Sequence, residues 1–237
     1  MIIVGTTTAA FSMDNPDTWG SWMKNAEAIK ENYQRFANYS DVKYFAALEV
    51  DARGIEPFKP FIERLEAIGG EYFTYSLDDG RTEVTTLNRL RHITFGQNLV
   101  VDYAQSNPEV THLLFLAADC MAPDDIVPKM LEMNYPLCAP FISTYNLRGP
   151  IVPEYPYPVE NAMASAAAIF ISRHVFTKIR WRWDLDMNLS DDPAYHHDAL
   201  KYLGIPTHVR MDSIAKHFPE AIGSIESRGH DMTVVRQ

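Results

Sequence analysis

The sequence predicts an α/β domain: a mainly parallel central sheet with helices on both faces. Three observations support this reading. Short apolar runs alternate with stripes of helical period along most of the 237 residues. The run at 111–117 is apolar without alternation, as in a strand buried on both faces. Polar residues gather where the runs end, at Thr6, Thr7, Thr8, Asp51 and Asp119. In open α/β sheets ligands bind beyond the carboxyl ends of the strands, so these positions have the pattern of a ligand site.

Residues 1–5 form the first strand, closing on Gly5 and three threonines. From 17 to 36, Trp19, Trp22, Met23, Ala26, Ile29, Tyr33 and Phe36 recur on one helical face, with Asp17 near the positive end of the helix dipole. A second strand spans 42–50. The next helix carries Phe58, Phe61, Ile62, Leu65 and Ile68 and stops at Gly69 and Gly70. Residues 71–76 make a third strand. A long helical stretch follows through Val84, Leu87, Leu90, Ile93, Val100 and Ala104, with Gly96 as a break point.

After the strand at 111–117, a helix begins in Asp124 and Asp125 behind Pro123. Residues 136–142 are expected to form another strand. Pro150, Pro153, Pro156 and Pro158 make 150–158 a surface loop. A buried strand at 163–172, a helix at 191–203 ending on Gly204, and a short strand at 207–212 complete the order.

Composition narrows the function. Apolar residues make up 46% and charged residues 22%, a globular balance that excludes a disordered or fibrous chain. The longest apolar runs, 113–118 and 163–171, are far below the roughly 18 residues of a membrane-spanning helix. No basic segment precedes the apolar start, which reads as a strand and not as a signal peptide. The formal net charge of -10 opposes broad binding to a phosphate backbone. Cys120 and Cys138 have no metal-type spacing and are expected to be reduced thiols in a cytoplasmic protein, where the sequons at Asn38 and Asn188 carry no meaning.

There is no GxGxxG after the first strand, no GxxxxGK[ST], no GxSxG and no HExxH, which removes the main support for dinucleotide, P-loop, α/β-hydrolase and zinc-peptidase chemistry. What stands out is an apolar strand running straight into acid, LLFLAADCMAP. An ionised Asp119 there needs a counter-charge, and a hard divalent cation shared with substrate phosphates would supply one. The plainer role is that Asp119 accepts turn N–H groups or caps the next helix.

At this point the sequence resembles a family. FLAADCMAPDDIVPKML is similar to the metal-binding stretch of GT-A-fold, family-2-like glycosyltransferases of the nucleotide-diphospho-sugar transferase superfamily, where a strand ends in Asp-x-Asp, a Pro and a helix. RLRHITFGQNLVVDYA resembles the helix leading into that strand, and MASAAAIFISRHVFTKI the strand and Arg-x-x-Phe segment behind the acceptor site. SDDPAYHHDALKYLG resembles the Glu-Asp-x-x-Phe helix, with Asp191 and Asp192 at the acidic pair and Tyr195 at the aromatic. In MDSIAKHF, Asp212 and His217 match the place of a late metal-binding histidine. The resemblance rests on the order of these motifs over residues 1–218. Ala117 departs from it, standing where the first Asp of Asp-x-Asp would be, so only Asp119 is kept.

The resemblance implies a single GT-A domain over 1–237, with a Rossmann-like sheet, a nucleotide-sugar half at about 1–119 and an acceptor half at about 120–237. It implies transfer from a UDP-, GDP- or dTDP-sugar to an acceptor hydroxyl, assisted by Mn²⁺ or Mg²⁺ on Asp119 and His217. Thr6, Thr7, Thr8, Asp51, Arg89, Arg91, Asn98 and Ala118 fall to the donor nucleotide. Asp192, with Asp191 as its fallback, is the carboxylate that would deprotonate the acceptor in an inverting reaction. Inversion and retention both stay open, as does the acceptor: a glycan, a protein, a metabolite or a modified DNA base.

Other features have plainer readings. Asp191 and Asp192 suit a helix N-terminus in any case. His196 and His197 are adjacent on a helix, cannot share one metal easily, and are expected at or near the surface. The stretch 178–184 alternates basic and aromatic residues, as an edge strand or as an acceptor wall. Tyr155 and Tyr157 belong to a loop that is either a lid hinged at Gly149 and Pro150 or a connection. The rival functions are nucleotidyl transfer, which would release pyrophosphate, and a non-catalytic module binding a sugar nucleotide or glycan.

Overall fold

The computed structural model of the chain describes residues 1–14, 16–35, 42–77, 86–144, 159–160, 167–182 and 191–217. Strands β1 (Ile2–Ala9), β2 (Val42–Glu49), β3 (Glu71–Tyr75) and β4 (His112–Leu116) lie in the order β3-β2-β1-β4, all parallel. Helices α1 (Pro16–Arg35), α2 (Lys59–Ala67) and α3 (Thr86–Ser106) fall between successive strands in the chain. The carboxyl ends of all four strands therefore share one edge.

Beyond β4 the sheet changes character. Strand β8 (Ala168–Ser172) runs antiparallel to β4, β6 (Leu137–Thr144) antiparallel to β8, and β9 (His208–His217) parallel to β6. Two-residue strands β5 (Cys120–Met121) and β7 (Val159–Glu160) both pair antiparallel with β9. The sheet order is β3-β2-β1-β4-β8-β6-β9-β5, with β7 also on β9.

Two-residue periodicity sorts the core onto two faces. Ile2, Val4, Ala46, Leu48, Leu114 and Leu116 pack on Trp22 and Met23 of α1, Phe61 and Leu65 of α2, and Met130 of α4 (Ile126–Met133). Ile3, Phe45, Ala47, Leu113 and Phe115 face the other way, onto Val100 and Ala104 of α3, Phe176 of α5 (Arg173–Phe176), and Tyr195 and Ala199 of α6 (Asp191–Leu203). Helices thus cover both faces, as the sequence predicts.

Several expectations change. Helix α3 runs unbroken through Gly96, because that glycine serves a close approach to the sheet rather than a break. Strand β9 continues past 212 to His217, with a register shift opposite Pro140 and Phe141 that period alone does not reveal. Residues 179–182 form no strand, and their buried positions are held by side-chain ties described below. Helix α4 starts at Ile126, just after Asp124 and Asp125, and Asp125 reaches Lys129 at 3.0 Å. It ends where Asn134 takes a left-handed conformation, φ 54°. The loop at 150–158, with Tyr155 and Tyr157, lies outside the described residues. Among the described residues no helix is long and apolar enough to cross a membrane. Both cysteines are buried and free.

Candidate active site

The carboxyl edge of the parallel strands is built from the end of β1 outward. Thr6 and Thr8 point to the α1 face and are buried, and their hydroxyls have no hydrogen-bond partner among the described residues. Orphaned buried hydroxyls are rare enough to need a reason, and a bound polar ligand is one. Thr7 points the opposite way, 3.3 Å from the Tyr75 hydroxyl at the end of β3. Tyr75 in turn donates to the main-chain carbonyl of His92 at 3.3 Å, which leaves Thr7 as the donor in the first bond. The helix carrying His92 comes this close because residue 96 is glycine: a Cβ there would lie 2.0 Å from Thr7 Oγ1 and 2.5 Å from Tyr75 Oη. The buried His92 ring contacts the carboxylate of Glu49, the last residue of β2. Sequence reading overlooked this pair. A histidine nearly two turns into a helix and a Glu at a strand end were the available signal.

Asp119 sits in the turn between β4 and β5, closed by Cys120 N–H donating to the Ala117 carbonyl at 3.1 Å. Asn25 of α1 braces that turn from both sides, donating to the Cys120 carbonyl at 2.6 Å and accepting from Ala122 N–H at 3.0 Å. The carbonyl of Ala118 accepts from Trp22 N–H at 3.3 Å, so Ala118 is fixed against α1. The Cys120 thiol is pushed up by burial and then by the nearby charge of Asp119. Strand pairing completes the arrangement: Cys120 lies opposite His217, and Thr144 of β6 lies opposite His217 on its other side. The main chains of Asp119 and His217, 98 positions apart, are therefore neighbours. The His217 side chain lies outside the described residues. Among the described residues no three His, Cys, Asp or Glu side chains form a group able to hold a metal ion.

The remaining predicted residues are spread along the same edge or removed from it. Asp51 stands two residues past β2 in a turn closed by Gly54 N–H at 2.9 Å, with Gly54 at φ +64°. Arg53 grips its carboxylate through Nη2 at 2.8 Å and extends to Asp14 at 2.8 Å, on the open surface. Those hydrogen bonds from Arg53 hold the Asp51 carboxyl below its ordinary value. Arg91 is exposed on α3, and the Arg89 side chain is outside the described residues. Asp191 and Asp192 open α6, as the sequence predicts, with their side chains likewise outside.

Asn98, expected at the donor nucleotide, meets a buried loop in the structure. Its amide is engaged on Trp181, donating to that residue's carbonyl at 2.8 Å and accepting from its N–H at 3.0 Å. The basic residues of 178–184 are not a free cationic stripe either. Arg180 pairs with Asp102 at 2.6 Å and Arg182 with Asp198 at 2.6 Å. His196 is buried, not superficial, with Nδ1 2.7 Å from the Thr207 hydroxyl. Asp212 is paired with Arg210 at 2.7 Å.

No protein-family profile and no curated protein matches the chain. Solved structures do. TarS 1–349 of S. aureus superposes with a TM-score of 0.53 at 11% identity, over 98% of this chain and 66% of that one. GalNAc-T7, solved with UDP, GalNAc and Mn²⁺, superposes with a TM-score of 0.53 at 10% identity, over 92% of this chain and 43% of that one. The chain thus spans less than two thirds of either relative's length. At these identities the likeness shows the fold alone, a Rossmann-like GT-A sheet.

Proposed function

We propose that the protein is a glycosyltransferase that moves a sugar from a nucleoside-diphosphate sugar to an acceptor hydroxyl, using a divalent cation. The observation that carries this reading is the convergence at one sheet edge of the Asp119 turn, the main chain of His217 and the unpartnered hydroxyls of Thr6 and Thr8. The donor set fits the cation: one hard carboxylate and one imidazole, with phosphate oxygens completing the shell, is a usual way to hold Mn²⁺ or Mg²⁺. Asp119 and His217 would hold it. The chemistry it supplies is neutralisation of charge that develops on the departing diphosphate.

The chain's own residues do the rest. Thr6, Thr8 and the Ala118 turn line the nucleoside end, where the two hydroxyls gain the partners they lack. Asp51 accepts from base or ribose donors, and Arg89 and Arg91, near the start of α3, approach the phosphates from the other side. Asp192, or Asp191, at the start of α6, takes the acceptor proton, and the positive end of the helix dipole keeps that carboxylate ionised before it does so. The domain as a whole is a single unit with a donor half before Asp119 and an acceptor half after it.

The test is thermal stabilisation by UDP-, GDP- and dTDP-sugars with Mn²⁺, followed by identification of the released nucleotide. Stabilisation by one donor, lost in Asp119→Ala, together with release of a nucleoside diphosphate, is expected. Release of pyrophosphate from a nucleoside triphosphate would replace this reading with nucleotidyl transfer. Binding with no turnover over many acceptors would make the chain a binding module.

A further inference from the structure

The segment between α5 and α6 has no regular structure at 179–182, yet Trp181 is only 2% exposed. A loop residue so deeply buried must have its main-chain groups satisfied by something other than a ladder. Asn98 of α3 does this, bonding both the N–H and the C=O of Trp181. Arg180, one residue earlier, reaches Asp102 and Gln105 on the same helix, at 2.6 and 3.2 Å. Gln105 also donates to the Phe176 carbonyl at 2.6 Å, where the segment leaves α5. Three side chains of α3, at positions 98, 102 and 105, thus staple this strap along its length.

The other side of the strap grips α6. The Trp181 ring stacks on Tyr195, centroids 4.2 Å apart and planes 27° from parallel, and meets Phe115 of β4 at 5.7 Å. Arg182 takes the buried carboxylate of Asp198 in a two-point grip, Nε to Oδ2 at 2.6 Å and Nη2 to Oδ1 at 2.8 Å. His197 adds a contact to the same carboxylate at 3.2 Å. Such a paired, planar grip fixes direction as well as distance. Burial would raise the Asp198 pKa, and the bonds from Arg182 and His197 outweigh it, so the carboxyl stays below its ordinary value.

We infer that the strap 179–182 is the device that sets α6, and with it Asp191 and Asp192, relative to the donor-side helix α3, with Asn98, Arg182 and Asp198 as its positioning residues. Tyr195 lies one helical turn past Asp191, and Asp198 one turn further. A stack and a bidentate pair at these places leave α6 little freedom to rotate or slide. None of these three residues needs to touch substrate. The catalytic meaning of the device rests on the glycosyltransferase reading above; its mechanical meaning does not.

The experiment has two arms. In the first, hydrogen exchange of wild type, Asn98→Ala and Asp198→Asn is compared without ligand. Amides of residues 195–203, the first able to bond a carbonyl four residues earlier in α6, should exchange about tenfold faster in both variants while β1 and β4 keep their protection. Unchanged protection in 195–203 would overturn the inference whatever the protein's activity. Loss of protection throughout the chain would equally overturn it, since the residues would then support the whole fold and not α6. In the second arm, with the donor that stabilises wild type, both variants should keep its Kd within about twofold and lose about tenfold or more in kcat. Arg182→Lys should fall between wild type and Arg182→Ala, because an ammonium cannot make the planar grip. Donor affinity falling in step with kcat would return Asn98 to the donor site and sink the positioning role. If no donor binds wild type, the glycosyltransferase reading fails while the first arm still decides the strap.

Discussion

Two helical glycines should respond to alanine with opposite signs. In an exposed or roomy helix interior, Gly→Ala stabilises by about 1 kcal/mol, through lower backbone entropy in the unfolded chain and better helix propensity. Gly20 in α1 has no heavy atom of the described residues within 4 Å of the Cβ that alanine would add, so Gly20→Ala should show that gain. Gly96 in α3 differs: the added carbon would lie 2.0 Å from Thr7 Oγ1, 2.5 Å from Tyr75 Oη and 2.9 Å from Thr7 Cβ. Rotation of the Thr7 side chain relieves the first contact but not the last, and Tyr75 is tied to His92. The helix must move away from the sheet. Overpacking of this kind costs about 1–3 kcal/mol, against which the same propensity gain of about 1 kcal/mol applies, so the net loss is roughly 0–2 kcal/mol. The difference between the two variants is then about 1–3 kcal/mol, or several degrees in Tm for a chain of this size. Urea unfolding of both variants beside wild type measures it. Gly96→Ala as stable as Gly20→Ala would refute the close approach, and with it the packing that holds the start of α3 on the strand ends. Donor affinity should follow the same order, falling only in the residue 96 variant.

Other outcomes follow from the charges and thiols. Asp198 has a depressed carboxyl pKa in the folded state, so its contribution is fully present above the ordinary Asp value of about 3.9 and fades as pH falls through the lower folded value. Asp198→Asn should therefore flatten the acid limb of stability against pH below about pH 4, measured by urea midpoints; an unchanged limb would show that the pair with Arg182 gives no net stabilisation. Cys138 is pushed up to about 12 and Cys120 higher still, so at pH 8 neither thiol should react with Ellman's reagent until the chain unfolds. Rapid reaction of one thiol in the native protein would contradict its burial. Asp119→Ala should abolish the Mn²⁺-dependent part of donor stabilisation, since no second acid precedes it at Ala117; retained metal dependence in a melting assay would place the cation elsewhere.

Much of the first half of the chain could be read directly. Periodicity located β1 to β4 and α1 to α3 within a few residues, because each strand there is followed by its own crossover helix and the local pattern and the global fold agree. Helix α6 was legible to the residue, between an acidic start and Gly204 at φ +67°. The polar carboxyl edge was legible in outline, because Thr6, Thr8 and Asp119 stand where apolar strands end. The tie of Asn98 to Trp181 was not legible, for a definite cause. A polar residue on a helix near a ligand edge looks the same in sequence whether its amide meets a nucleotide or a buried main chain. The alternation over the described residues 178–182 was real but belonged to no strand: Ile179 and Trp181 are buried, Asn98 and Tyr195 hold Trp181, and the arginines face acids on α3 and α6.

Pattern and composition carry whatever depends on neighbours along the chain: element type, which face is apolar, where a strand gives way to acid, and that no described helix is suited to a bilayer. Contacts between distant segments belong to the folded molecule alone. The pairing of Cys120 with His217, the antiparallel return of β8 between β4 and β6, and the grip of Arg182 on Asp198 all join residues whose spacing holds no shared period. Strand direction and register are set by loop closure and by packing across the sheet, which act through space. A side chain's partner is whichever group the fold delivers to it.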